Sequence, residues 1–288
     1  MALWLLLDGN NLAYRAFYGM PELTRGDGFP TGALHGWVRG LWMLQDMEKG
    51  AHVVAFFDLG ASTRHEKLLA DYKAQRKEMP QPLFQQLEPM KRITKLLGIN
   101  VVERQGVEAD DLLASAAHQL AAKGEEVLMV SADKDFGQLV NDNIKQLVPA
   151  PTANPKLGWK KLDAAGVKEK FGVRPTQIPA LLALTGDTSD NIPGLDGVGY
   201  KTAAKWLEEF GDLETLLRRW DWVKPERFRP QLQNAGEMMK RNLELVTLQA
   251  DLDPGPIKPA KPDPAAIFAF FEEMEMKRSL DEAKKRFS

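Results

Sequence analysis

The chain has 288 residues, 44% of them hydrophobic and 27% charged, enough for one large domain or two smaller ones and unlike disordered, collagenous or coiled-coil sequences. It has no cysteine and four histidines, which excludes disulfide scaffolds, thiolate nucleophiles and sulfur-based zinc sites, so any metal must be held by oxygen. The 38 Lys plus Arg against 40 Asp plus Glu leave a net charge of −2, which carries no global signal for nucleic acid, and the absence of any apolar stretch near the ~20 residues of a membrane span makes a cytoplasmic protein the expectation.

In chain order, short apolar runs at 3–7, 53–57, 100–102, 127–130 and 146–148 suit buried parallel strands, and the segments between them have helical period. This rhythm predicts an α/β domain with a mostly parallel sheet. Asp8 follows the first run directly and Asp58 the second. The third leads through a turn to Glu108, Asp110 and Asp111, and the fourth to Asp133 and Asp135. Ligands of open α/β sheets bind outside the carboxyl ends of the strands, so these acids are expected to converge although they span nearly the first half of the chain. After Phe171 the pattern becomes helical: 175–211 reads as helix, Gly-rich turn, helix, and no strand pattern returns. A Pro-rich connector covers 254–264, and 264–287, with Ile267, Phe268, Phe270, Phe271, Met274 and Met276, predicts an amphipathic helix that packs back. The expected division is an α/β domain over 1–172 and a helical domain with its tail over 173–288.

Between Ala61 and Lys95 the bases Arg64, Lys67, Lys73, Arg76, Lys77, Lys91, Arg92 and Lys95 face only Glu66, Asp71, Glu78 and Glu88. That surplus could grip phosphates or simply solvate a helix face. The acids allow a sharper reading. Asp8, Asp58, Glu108, Asp110, Asp111, Asp133 and Asp135, joined by Asp187 and Asp190 from the helical part, would share one cleft. Two like charges ~4 Å apart repel by about 4 kcal/mol at an effective dielectric near 20, so the cluster calls for hard cations. All-oxygen ligation suits Mg²⁺ or Mn²⁺, and a pair of such ions suits phosphodiester hydrolysis. Each acid alone could equally be a cap or a turn residue; their joint placement at strand ends favours metal.

Two other phosphate chemistries fail on particular residues. A haloacid-dehalogenase-type phosphatase wants a second Asp two positions after Asp8, where Asn10 stands. The segment 194–202 resembles a Walker A loop, but Tyr200 separates Gly199 from Lys201 and Pro193 precedes it in place of a strand. Gly197-Val198-Gly199 reads better as the turn of a helix–hairpin–helix, where the backbone approaches phosphates at a helix N-terminus and Lys201 and Lys205 add charge. A positive φ is expected at Gly199.

These residues together resemble the 5′-nuclease domain of bacterial DNA polymerase I and the wider flap endonuclease family. The resemblance runs nearly end to end and is carried by Leu6-Leu7-Asp8-Gly9-Asn10-Asn11-Leu12-Ala13-Tyr14-Arg15, Phe57-Asp58, Arg64-His65-Glu66, Tyr72-Lys73-Ala74-Gln75-Arg76, Gly106-Val107-Glu108-Ala109-Asp110-Asp111, Ser131-Ala132-Asp133-Lys134-Asp135 and Thr185-Gly186-Asp187-Thr188-Ser189-Asp190-Asn191-Ile192-Pro193-Gly194. It implies a PIN-like α/β domain with a helical arch at about 64–95, then an all-helical helix–three-turn–helix DNA-binding domain holding duplex through K⁺. It further implies two Mg²⁺ or Mn²⁺ ions, one among Asp8, Asp58, Glu108, Asp110 and Asp111, the other among Asp133, Asp135, Asp187 and Asp190. By the same resemblance Lys73, Arg76 and Arg15 are catalytic bases near the scissile phosphate and Tyr72 stacks on an unpaired base, while Arg64, Gly197, Gly199, Lys201, Thr202 and Lys205 belong to the DNA-binding set.

The implied activity is that of a structure-specific 5′-3′ exonuclease and 5′-flap endonuclease cutting DNA, and RNA primers, near single-strand/duplex junctions. Its partners would be DNA with a 5′ flap, nick or 5′ end, or an RNA/DNA hybrid, bound by a monomer and not a membrane. The chain ends without polymerase domains, so a free-standing paralogue and an isolated domain both fit. A non-catalytic or weakly active junction-binding paralogue is the alternative, and retention of all nine acids argues against it. A PIN-type ribonuclease would leave the 194–205 turn without a purpose.

Overall fold

A computed structural model describes residues 1–255 and 257–287. Strand β1 (Leu3–Asp8) is the centre of a six-stranded sheet of order β3-β2-β1-β4-β5-β6, with β2 (His52–Phe56), β3 (Asn100–Val102), β4 (Glu126–Val130) and β5 (Ile144–Val148) all parallel. Leu5, Leu6 and Leu7 are fully buried because helices cover both faces, which is why β1 reads as an unbroken apolar run. The register puts Asp8 beside Phe56 and Leu7 beside Val130, so these strands end at one level. The sixth strand, β6 (Lys160–Leu162), runs antiparallel to β5 and was not expected: it buries only Leu162, too little to register as a pattern.

Alternation along β1 divides the core. Trp4 and Leu6 face α5 (Ala109–Ala122) and the helical part of the chain, and Leu5 and Leu7 face α1 (Gly9–Gly19), α2 (Gly32–Met47) and α4 (Gln81–Leu96). The first of these clusters is continuous through α6 (Ala164–Phe171), α7 (Ile178–Thr185), α8 (Tyr200–Phe210), α9 (Leu213–Arg218), α10 (Arg229–Gln233) and α11 (Gly236–Val246). The helical part therefore shares a core with one sheet face. Between α7 and α8 lies a minimal antiparallel pair, β7 (Gly186–Asp187) with β8 (Ile192–Pro193), which corrects the expectation that no strand follows Phe171.

Two further expectations change. The tail is not one helix but two, α12 (Pro264–Glu273) and α13 (Lys277–Phe287), broken at Glu275 with φ +55°. Ile267, Phe270 and Phe271 are buried against the α2/α4 face, so the tail packs on the α/β part and not on the helical part with which it was grouped. Nor is 64–95 a free arch. It comprises α3 (Thr63–Leu68), a turn-rich connection and α4, whose Leu83, Met90 and Ile93 are buried. Of the bases counted there, Lys91 is buried between Glu88 (2.9 Å) and Glu103 (2.6 Å), and Arg92 pairs with Glu273 at 2.8 Å. Between α3 and α4 lie residues 69–80. Among the described residues no helix is long and apolar enough to cross a membrane.

Candidate metal centre and nucleic-acid interface

Asp8 ends β1 and caps α1, its Oδ1 accepting from Asn11 N–H at 3.0 Å and its Oδ2 from the Ser131 hydroxyl at 2.6 Å. The turn is tight: a Cβ on Gly9 would lie 2.5 Å from the Phe56 carbonyl oxygen, so only glycine continues the chain there. Asp58, two residues beyond β2, accepts from Ala109 N–H (2.8 Å) at the start of α5 and from Asn10 Nδ2 (2.9 Å). The end of β4 contributes Asp133, whose Oδ1 accepts from Asp135 N–H at 2.9 Å. Asp110, in the first turn of α5, feels the charges of Asp8, Asp133 and Asp58. Burial pushes the Asp8 carboxyl up to about 7, with repulsion from Asp133 and Asp58 adding to it and the Ser131 and Asn11 bonds opposing it. Asp110 is pushed well above the usual carboxyl range by burial and the same neighbours.

A second group forms beside the first. One carboxylate oxygen each from Asp135, Asp187 and Asp190 lies within 4.8 Å of the others. Asp135 Oδ1 is buried without a hydrogen-bond partner, and burial with repulsion from Asp133 pushes this carboxyl well up. Burial works against ionised Asp187 too, but Lys134 Nζ at 2.6 Å and the Ser189 hydroxyl at 2.5 Å outweigh it and hold Asp187 below its ordinary value. The donor set is all hard oxygen, crowded, partly stripped of solvent and short of protons or cations. It fits hard divalent ions, and the orphaned Asp135 oxygen is the plainest sign.

Not every expected ligand joins. Adjacent residues on a helix point about 100° apart, so Asp111 is turned from the direction of Asp110. Asp111 is 2% exposed and accepts from Gln249 N–H at 2.8 Å, tying α5 to the segment after α11. Glu108 stands at the rim, where Lys73 Nζ donates to Oε1 at 2.7 Å.

Among the expected bases, Lys73 and Arg76 reach the centre. Lys73 has φ +55°, its N–H donates to the Asp190 carbonyl at 3.0 Å, and its ammonium is held charged by Glu108 and Asp190 against the cost of burial. Arg76 lies in the field of Asp190 and Asp58 without an ion pair within 4.0 Å among the described residues. Three of the expected residues have partners of their own here. Tyr72 stacks on His65 (4.6 Å, 15°), has Lys73 Nζ 4.9 Å over its ring, and its hydroxyl donates to Asp190 at 3.2 Å and Glu108 at 3.3 Å. Arg64 donates to the Glu244 carbonyl (2.6 Å) and the Thr247 carbonyl (3.4 Å) at the end of α11, a structural use of its charge. Arg15 lies 5.7 Å over Trp159 and lines an apolar cavity of about 210 Å³.

The turn between α7 and α8 is built on close backbone approach. A Cβ on Gly194 would sit 2.2 Å from the Thr185 carbonyl carbon, and Gly186 has φ +71°. Gly197, not Gly199, takes the positive φ of this turn, at +69°; Gly199 is extended at φ −99° and N-caps α8 with open space around it. Lys201 and Lys205 are exposed one turn apart on α8, and half-buried Thr202 donates its N–H to the Gly199 carbonyl. Sequence reasoning missed Lys134, although it lies between two predicted ligands, because nothing in an Asp-Lys-Asp string says where the lysine points. It missed His65 for a different reason: beside the local Ser62 Oγ at 2.7 Å, its other partner is the Leu245 carbonyl at 3.2 Å, 180 residues along the chain.

Residues 3–172 match the family model described as the 5′-3′ exonuclease N-terminal resolvase-like domain, and residues 173–263 that of the 5′-3′ exonuclease C-terminal SAM fold. The chain is 39% identical over 287 residues to a 5′-3′ exonuclease of Aquifex aeolicus, covering 98% of this chain and 95% of that one. It is also 39% identical over 284 residues to the thermostable DNA polymerase I of Thermus filiformis, covering 96% of this chain but 33% of the polymerase. Among solved structures it resembles the 5′-exonuclease of phage T5 with zinc bound (TM-score 0.73, 20% identity, 99% and 97% coverage). It resembles as well the catalytic core of Rad2 in complex with DNA substrate (TM-score 0.65, 15% identity, 98% and 91% coverage). These likenesses share a fold, and the family matches span residues 3–263 of the sequence: the chain belongs to the 5′-3′ exonuclease family.

Proposed function

We propose that this chain is a structure-specific 5′-3′ exonuclease and 5′-flap endonuclease, hydrolysing phosphodiesters of DNA and of RNA primers near single-strand/duplex junctions in the cytoplasm, as a monomer. Its α/β part, residues 1–172, cuts; its helical part from 173 holds duplex. The observation that carries the reading is the convergence of Asp8, Asp110, Asp133, Asp135, Asp187 and Asp190 with Lys73 and Arg76, with a buried Asp135 oxygen that accepts no hydrogen bond. Two Mg²⁺ or Mn²⁺ ions would be held by Asp8, Asp58, Glu108, Asp110 and Asp133 on one side and by Asp135, Asp187 and Asp190 on the other. When bound, they supply Lewis acidity that activates water and offsets charge growing on the phosphate.

The remaining chemistry belongs to the side chains. Lys73 is fixed by its backbone bond to Asp190 and by Glu108, and so presents a permanent positive charge at the cleft mouth. Arg76, unpaired beside it, offers a planar fork to a phosphate. Both strengthen most as negative charge develops in the transition state. Phosphate contacts position a substrate without reading bases, so the 194–205 turn, Lys201, Lys205 and a K⁺ ion at the turn would select shape and not sequence. The Rad2 core, of like fold, was solved with its DNA substrate, which agrees with this use of the surface.

The deciding assay is cleavage of a labelled 5′-flap duplex. Turnover is expected with Mg²⁺ or Mn²⁺, binding without turnover with Ca²⁺, and neither cleavage nor tight binding in excess chelator. Full cleavage in chelator would remove the metal reading, and tight flap binding without turnover in any divalent ion would leave a junction-binding protein.

A further inference from the structure

The surface next to the α7–α8 turn carries an arrangement that the turn itself does not explain. After α9 a short 3-10 turn, Trp220–Trp222, leads into a strap that ends at α10. Val223 is fully buried and Phe228 is 4% exposed, so the strap is anchored at both ends. Trp206 Nε1 donates to the Lys224 carbonyl at 2.8 Å and Arg229 Nε to the Val223 carbonyl at 2.9 Å, which fixes the backbone between them. On this rigid mount Trp222 is held out at 64% exposure with the Arg219 guanidinium 5.3 Å over its ring. Near it in sequence Arg218, Lys224 and Arg227 are exposed, Arg218 pairing with Glu214 at 3.9 Å. The strap's acids are Asp221 and Glu226, and Glu226 is engaged by Arg229 at 3.4 Å. The outward face is basic with one aromatic plane in its middle.

That face is continuous with the turn. Phe228 lies 3.8 Å from where a Cβ of Gly197 would be, and Arg227 caps the same ring at 4.7 Å. Gln231 holds the turn from the other side, accepting from Asp196 N–H at 3.0 Å and donating to its carbonyl at 3.1 Å. A duplex is stiff, with a persistence length of about 150 base pairs, so an arm gripped at the turn runs straight across the neighbouring surface.

We propose that Arg219, Trp222, Lys224 and Arg227 form a second duplex-contact patch that extends the α7–α8 turn, the bases meeting phosphates and Trp222 lying against a sugar. This rests on the reading of the turn as a duplex anchor. The occupant is double-stranded nucleic acid: the charge suits a polyanion, and the adjoining turn is the segment that holds duplex. Trp222 with its attendant Arg219 is then an amphipathic contact, useful where a sugar edge and a phosphate lie side by side.

The test uses the full chain with Ca²⁺, flap substrates with a short and a long duplex arm, and the variants Trp222→Ala, Arg219→Ala/Arg227→Ala and Lys201→Ala. These side chains at the patch are exposed, and melting curves confirm that each variant folds. The double variant should weaken long-arm binding about tenfold and lower the slope of log K against log salt by about 1.8, because two phosphates are no longer neutralised. Short-arm binding and the cleavage rate at saturating substrate should stay as in wild type, and Trp222→Ala should lose the tryptophan quenching that long-arm duplex produces. Unchanged affinity and salt slope on the long arm overturn the patch, as do equal losses on both arms or a loss seen only with single strands. Lys201→Ala separates the two readings: if it leaves binding of both arms untouched while the patch variants weaken the long arm, the turn fails as an anchor and the patch stands.

Discussion

Replacing Asp8 by Asn should stabilise the protein when no divalent cation is present. Asp8 is 5% exposed, and its carboxyl is raised from 3.8 to about 7, first by burial and then by the charges of Asp133 and Asp58. An acid with a raised folded-state pKa binds its proton more tightly folded than unfolded, so stability falls as pH rises from about 4 to about 7 and the full penalty stands above that window. Three units at 1.36 kcal/mol each make this on the order of 4 kcal/mol. Asparagine can still accept from Asn11 N–H as the cap of α1, and the bond that ionised Asp8 receives from Ser131 is already contained in the shift, so a net gain on the order of 4 kcal/mol is expected, or roughly 7 °C in Tm. Thermal unfolding of both proteins in excess chelator at pH 4 to 8 is the measurement. The difference should be near zero at pH 4 and open fully by pH 8. Saturating Mg²⁺ or Mn²⁺ should then narrow it, because a ligand at 100 times its Kd contributes about 2.7 kcal/mol to the wild type and less to a variant with one ligand changed. A gap that does not change with pH, or an Asn variant less stable at pH 8 in chelator, would refute charge crowding at this site.

Lys134→Met should lower stability in chelator, since it leaves Asp187 without its 2.6 Å partner, and should raise the affinity of the Asp135–Asp187–Asp190 group for Mn²⁺; unchanged Mn²⁺ titrations with unchanged melting would deny Lys134 any role as a counter-ion. Gly194→Ala should unfold the α7–α8 turn or cost several kcal/mol, because its Cβ would meet Thr185 backbone at 2.2 Å, whereas Gly199→Val should melt close to wild type in open space at φ −99° and weaken duplex binding alone. Circular dichroism beside binding isotherms checks the pair, and an unfolded Gly199→Val would reject the local reading of that turn.

The strands that deliver the acids were legible because burial on both faces leaves a pure apolar run, as in Leu5, Leu6 and Leu7. β6 was not, because an antiparallel edge strand reading Lys-Lys-Leu buries one side chain. The tail announced an apolar face but not its partner: periodicity tells which residues are buried, and only the fold tells that Ile267 and Phe271 meet the α2/α4 side. The same limit applied to charge. Eight bases over 61–95 look free until Glu103 and Glu273, distant in sequence, claim Lys91 and Arg92. Asp110 and Asp111 differ in a way the sequence does contain, since neighbours on a helix diverge by about 100°, and here Asp111 turns to the Gln249 N–H.

Lysines at the acid centre follow from that divergence and from burial. With Asp111 turned to Gln249, eight acids remain against Lys73, Arg76 and Lys134. If all were ionised the excess would be five negative charges in a partly dry cleft, which is why Asp8, Asp110 and Asp135 hold protons above their usual range. The two lysines are not equivalent. Lys73 comes from the turn-rich segment between α3 and α4 and pairs with Glu108; Lys134 is built into the strand-end turn, between the ligands themselves. A cation entering beside Asp187 must therefore compete with an ammonium already 2.6 Å away, while one entering beside Asp8 and Asp110 meets the Lys73 ammonium only through Glu108, which it pairs at 2.7 Å, and through its charge on Asp110. The two halves of the centre should fill in order, the Asp8 half first and the Asp187 half at higher concentration, and a Mn²⁺ titration of the Asp8→Asn and Lys134→Met proteins would read that order directly: the first should lose the tight step and the second should bring the weak step towards it.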